Sequence, residues 1–130
     1  MSDPLFDLSQ FDCATRAETG APLTLRHPKT GTDLPAVIWL QGEDAPGYRQ
    51  LLRQQIDRQL RDRQLEPSAA DLETRLLERL AALTLRWENV TYDRAEFPCN
   101  PDNARRLYSE QLWIREQVVG FVEDRAHFLP

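Results

Sequence analysis

Two apolar stripes at helical spacing, parted by a proline, constrain this chain more than any other feature. Tyr48, Leu51, Leu52, Ile56 and Leu60 recur every three or four residues, as one face of an α-helix requires. Leu72, Leu76, Leu77, Leu80 and Leu83 repeat the pattern after Pro67. Proline lacks the N–H and clashes with the preceding turn, so one helix cannot carry both stripes. The spacing predicts a first helix over 44–65, with Asp44 as N-cap and Pro46 in the first turn. It predicts a second over 68–87, opened by Ser68 and Asp71 as a capping pair. Their short connection makes them an antiparallel pair. Both stripes read as core, and Ala81-Ala82 permits close packing. Arg49, Arg53, Arg58, Arg61 and Arg63 read as a solvated face, diluted by Asp57 and Asp62.

Before this pair, residues 21–42 read as a β-hairpin. Leu23-Thr24-Leu25 alternates, and Ala36-Val37-Ile38-Trp39-Leu40 is a β-branched and aromatic run. His27 to Asp33 supplies turn chemistry, with Pro28 fixing φ and Gly31 free to take φ > 0. Arg26 and His27 face Asp33 across that turn, a turn-stabilising arrangement. A lone hairpin is barely stable in water, so it must pack on the helices or gain a third strand. Its outer edge is a pairing site for another subunit. Residues 1–20 read as an N-terminal tail whose apolar cluster, Leu5, Phe6, Leu8 and Phe11, packs loosely on the body.

Residues 88–100 look irregular, punctuated by Asn89, Asp93, Pro98 and Asn100. Asn100-Pro101-Asp102 then starts a helix: an Asn cap, Pro at the first position, and a carboxylate at the positive dipole end. The helical body is expected to resume over 101–127, with a break near Ser109 to Gln111. Trp113, Ile114, Val118, Phe121 and Val122 form its apolar face, and Gly120 weakens it by roughly 1 kcal/mol against Ala. The expected fold is mainly α with an N-terminal β-hairpin (α+β). A bundle of three to four helices packs with the hairpin in a single domain, 1–130.

Composition narrows the function. The net charge of −5 argues against nucleic acid as a partner, which needs clustered positive charge. Only Lys29 among the 16 basic residues is a lysine, which reads as codon bias ahead of carboxylate recognition. Cys13 and Cys99 read as reduced thiols. Asp3 and Asp7 without a basic cluster do not make a secretory signal, and no run reaches the ~18 apolar residues of a membrane span. The two histidines, His27 and His127, lack any partner at metal-ligand spacing, and no nucleophile, phosphate-loop or dinucleotide motif occurs. No catalytic residue, metal or cofactor is expected, and the chain is not read as an enzyme.

Several segments, taken in order, resemble the tail assembly chaperones of long, non-contractile-tailed bacteriophages and related prophages. His27-Pro28-Lys29-Thr30-Gly31 looks like the family's turn, and Gly42-Glu43-Asp44-Ala45-Pro46-Gly47-Tyr48-Arg49 like its helix start. Trp87-Glu88-Asn89-Val90 is similar to its loop entry. The blocks from Phe97 to Tyr108, from Trp113 to Val118 and from Asp124 to Leu129 resemble its C-terminal motifs. The family often carries Ser or Thr where Cys99 stands, and Asn where His127 stands. Residues 1–20 match none of it.

The resemblance implies a helper protein of the host cytoplasm. It binds the long helical tape measure protein, keeps it soluble, promotes polymerisation of the tail tube around it, and is absent from the virion. It also implies self-association, and contact with tail tube protein through a frameshifted longer form, of which this chain has the short form's length. Trp39, Trp113, Phe121 and Phe128 are the expected partner-binding residues. Two other readings stay open: a permanent tail or neck component, and a small enzyme or regulator.

Overall fold

The computed structural model describes residues 5–129. It is a mixed α+β fold, with five α-helices, a three-stranded antiparallel sheet and a two-stranded ribbon among those residues. A short 3₁₀ turn, Leu8–Phe11, precedes α1 (Cys13–Thr19). Asp7 and Asp12 cap the two, accepting from the Ser9 and Thr15 amides. The expected loose tail is therefore two different things. Ala17 on α1 is buried, while Leu5, Phe6, Leu8 and Phe11 are exposed.

The hairpin forms as expected from β1 (Ala21–Arg26) and β2 (Asp33–Leu40). At its turn, His27 Nδ1 accepts from the Lys29 and Thr30 amides, and Arg26 lies 3.9 Å from Asp33. The third strand comes from an unexpected place. The second helix ends at Leu83, and β3 (Thr84–Glu88) turns back along β2, pairing Trp87 with Ile38 and Arg86 with Trp39. The expected helix over 68–87 is thus four residues too long. No Gly or Pro marks the switch. Thr84-Leu85-Arg86-Trp87 suits a strand as well as a helix, and the open edge of β2 decides between them.

The long helices are α2 (Pro46–Arg61) and α3 (Ala69–Leu83). Ser68 and Asp71 form the expected capping box on α3. Asp44 does not cap α2; Ala45 holds that position, and the Asp44 carboxylate instead takes two hydrogen bonds from Arg125, at 2.5 and 3.0 Å. α2 stops at Arg61 rather than at 65. Arg63 adopts φ +52°, its N–H bonds the Leu60 carbonyl, and the Gln64 N–H bonds the Gln59 carbonyl. This is a Schellman ending with arginine where glycine is usual.

Residues 88–100 are less irregular than expected. β4 (Thr91–Tyr92) and β5 (Ala95–Glu96) pair around Asp93 and Arg94, both at positive φ, the conformation a two-residue hairpin turn demands. Phe97 follows and stacks on Trp87, whose Nε1 donates to the Phe97 carbonyl. α4 (Pro101–Glu110) starts on Asn100 as expected, with the Asn103 amide on the Asn100 side chain. α5 (Leu112–Glu123) follows a break at Gln111, and the last turn, Arg125–Phe128, is 3₁₀.

One face of the sheet, Leu25, Ile38 and Leu40, packs with Leu80 and Leu83 of α3, Leu107 and Tyr108 of α4, and Val118, Phe121 and Val122 of α5 in one buried cluster. Burying each large aliphatic side chain contributes about 1.5–3 kcal/mol. Tyr108 is fully buried and its hydroxyl lies 2.6 Å from Thr84 Oγ1. Thr84 spends its only hydroxyl proton on the Leu80 carbonyl, so Tyr108 donates to Thr84. Gly42 closes the far side. A Cβ there would meet the Phe128 ring at 2.9 Å and Ala17 Cβ at 3.0 Å, so only glycine lets α1 and the C-terminal turn approach.

Candidate functional site: an apolar strip on the helical pair

The seam between α2 and α3 is polar over its outer half. Gln55, buried, accepts from Arg79 at 3.0 Å and donates to the Arg75 carbonyl at 3.2 Å. Arg75 donates to Gln59 and to Gln64, and Gln64 donates to Asp71 at 2.8 Å. Arg58 and Glu78 pair at 3.0 Å along one flank of the seam. A buried polar side chain must be hydrogen-bonded, and these are.

The seam being polar, the apolar stripes sit to its side. At about 100° per residue, Ile56 and Leu60 fall on the flank of α2 opposite Arg58. Leu72 and Leu76 fall on the flank of α3 opposite Glu78. Because α2 and α3 are antiparallel and Arg58 meets Glu78, the two apolar flanks lie on the same side of the pair. Each is a row at four-residue spacing that begins in the core and runs outward. On α2, Tyr48 is buried, Leu52 half-buried, Ile56 56% exposed and Leu60 71% exposed. On α3, Leu80 is buried, Leu76 half-buried and Leu72 53% exposed. Leu65, in the connecting turn, is 91% exposed.

Both stripes were expected to be core along their length. The structure corrects this: only the halves nearest the sheet are core, and Ile56, Leu60 and Leu72 on the outer halves are exposed. Isolated surface leucines are ordinary, but contiguous apolar rows mark binding surfaces. Apolar rows on the same side of two adjacent helices suit a third amphipathic helix. Arg49, Arg53 and Asp57 border the α2 row and Glu73 borders the α3 row, each one turn back from a row residue, so the rim is of mixed charge.

The four residues expected to bind a partner do not come together. Phe121 and Phe128 are core residues, 9% and 4% exposed, and pack edge to face. The His127 ring covers Phe121, stacked at 4.0 Å, with its Nδ1–H on the Phe121 carbonyl. Burial keeps both phenylalanines from an incoming partner. Trp39 is half-buried, its ring covered by Arg86 at 4.3 Å. Trp113, expected in the core, lies at its margin, with Nε1 donating to Gln111. Its truncation therefore costs less than the roughly 3–5 kcal/mol of a fully buried tryptophan.

The β1 edge, expected to pair with another subunit, is partly closed. Gln117 donates to the Arg26 carbonyl and accepts from the Arg26 amide, both at 2.9 Å, taking the place of a neighbouring strand. Among the described residues, no group of three His, Cys, Asp or Glu could hold a metal ion, and no helix is long and apolar enough to cross a membrane. Cys13 and Cys99 are free, and burial pushes the Cys99 thiol up. No family model, curated protein or solved structure matches the chain.

Proposed function

We propose that the chain is a phage tail assembly chaperone acting in the host cytoplasm. On this reading it binds the tape measure protein, keeps it soluble, promotes tail tube polymerisation around it, and leaves before the virion is complete. The observation that carries the reading is the exposed set of Ile56, Leu60 and Leu72, joined to the order of motifs from His27 to Leu129. A long helical client presents apolar stripes that aggregate with one another until the tube encloses them. Apolar rows on two adjacent helices cover such a stripe as a third helix would. Each copy covers only a few turns, so a long client needs many copies, and the net charge of −5 keeps the coated client soluble. Tail tube protein is a further partner on this reading, through a longer frameshifted form.

Co-expression with the tape measure protein of the same locus tests the proposal. The expected result is a client moved from the insoluble to the soluble fraction and co-purifying with the chain, and a chain absent from purified virions. A client that remains equally insoluble contradicts it. A chain retained at fixed copy number in virions supports a permanent tail component instead.

A further inference from the structure

At the free edge of β1 the Gln117 side chain stands where a neighbouring strand's peptide group would. Alternate residues of an edge strand turn their backbone N–H and C=O outward. Arg26 is one of them, because both its groups meet the Gln117 amide at 2.9 Å, while the next residue, His27, bonds back to Thr32. Thr24 and Pro22, two and four residues back, face outward as well. The register irregularity before Arg26 puts the extra residues on β2 and leaves the alternation of β1 intact. Pro22 has a carbonyl but no N–H. Of these three outward residues, Thr24 is left with an N–H to offer. All three are exposed, on the face opposite buried Leu25, whereas α5 packs on the Leu25 face. A cleft lined by Leu23, Thr24, Arg26, Gln117 and Phe121 runs along the edge.

Without Gln117 this edge is complementary to itself. Two copies of β1 set antiparallel about a twofold axis at Thr24 place Thr24 opposite Thr24 and Arg26 opposite Pro22. Each Thr24 N–H then meets the other copy's Thr24 carbonyl, and each Arg26 N–H meets a Pro22 carbonyl. The missing proline N–H leaves out only the bond to the Arg26 carbonyl. We propose that Gln117 is an edge guard, holding the Arg26 backbone so that β1 does not pair with β1 of a second copy. An open edge is a template for joining sheets between molecules, and proteins block it. Here the block is one side-chain amide supplied by a helix, which satisfies the Arg26 N–H and carbonyl together. The guard does not rest on the chaperone reading, and any self-association of the wild-type chain uses another surface.

The test is the solution mass of the full chain by light scattering after size exclusion, over a concentration series. Four forms are compared: wild type, Gln117→Ala, Gln117→Ala/Thr24→Lys, and Thr24→Lys alone. Alanine favours the helix at 117, Thr24 is exposed, and circular dichroism melts check that each variant folds. Gln117→Met, of similar length but without the amide, repeats the comparison should alanine cost the fold. The expected mass of Gln117→Ala is twice that of wild type. Adding Thr24→Lys restores the wild-type mass, because two lysines directly opposite each other repel. Thr24→Lys alone leaves the wild-type mass unchanged. A Gln117→Ala chain at the wild-type mass overturns the guard. A gain that survives Thr24→Lys overturns the β1 pairing, and a lower mass for Thr24→Lys alone shows that wild type already uses the edge and overturns it too. Hydrogen exchange gives a second reading: the Arg26 amide exchanges faster in Gln117→Ala/Thr24→Lys than in wild type, and equal protection in the two overturns the guard. No client is present, so failure here leaves the chaperone reading to the co-expression test.

Discussion

Gly120 sits in the middle of α5, is exposed, and has no atom within 4 Å of where a Cβ would stand. Its backbone freedom serves no turn there, so Gly120→Ala should stabilise by about 0.5–1 kcal/mol, read as a raised denaturant midpoint at constant slope. Tyr108 is the opposite case, a residue whose every atom is engaged. Tyr108→Phe should cost about 0.5–1.5 kcal/mol, because it takes the donor from Thr84 Oγ1 while Thr84 keeps its own bond to Leu80. Denaturation of the two variants beside wild type checks both signs. Asp44 adds a pH dependence. Its hydrogen bonds from Arg125 hold the carboxyl below the usual carboxylate range. A depressed carboxylate contributes stability that is present above its unfolded value, about 3.9, and lost as pH falls through the lower folded value. Asp44→Asn should therefore lower stability at neutral pH and flatten the acid side of the stability curve. Melting curves collected between neutral and acid pH measure that slope.

Among the elements, those built on local rules are legible in the amino-acid sequence. Alternation marks the hairpin, Ser68 and Asp71 mark α3, and Asn100 and Pro101 mark α4. The elements set by neighbours are not legible in this way. Thr84 to Glu88 continue a helical pattern and become a strand because β2 has an open edge to pair with. Arg63, Asp93 and Arg94 take positive φ without glycine, so the end of α2 and the β4–β5 turn carry no usual signal. The strip is hidden for a related reason. A leucine stripe shows which face of a helix is apolar, but not how far along the helix a neighbour covers it. One clue is present: Gln55 and Gln59 on one helix, and Arg75 and Arg79 on the other, are polar pairs at four-residue spacing. Such pairs can face each other across a seam and push the leucines to its side. The aromatic residues mislead in the other direction. Phe121 and Phe128 have the chemistry of partner anchors, but the sheet and the C-terminal turn use them as core.

At the scale of the whole molecule, the chain divides into a packed end and an open end. Sheet, α4, α5 and the bases of α2 and α3 share one buried cluster, while the outer half of the helical pair keeps its shape through hydrogen bonds and leaves its leucines in solvent. That division explains how a chain of ordinary composition can stay folded and still hold out an apolar surface, because the fold does not depend on covering the strip. The central claim is that this surface holds the client. The most direct measurement is capture of tape measure fragments by wild type and by the variant Leu60→Asp/Leu72→Asp, with circular dichroism melts run on both. Both sites are exposed, so the account predicts closely similar melts and a loss of client capture of at least tenfold, the loss about 1.4 kcal/mol of binding energy represents. Capture at the wild-type level by a folded variant would contradict it.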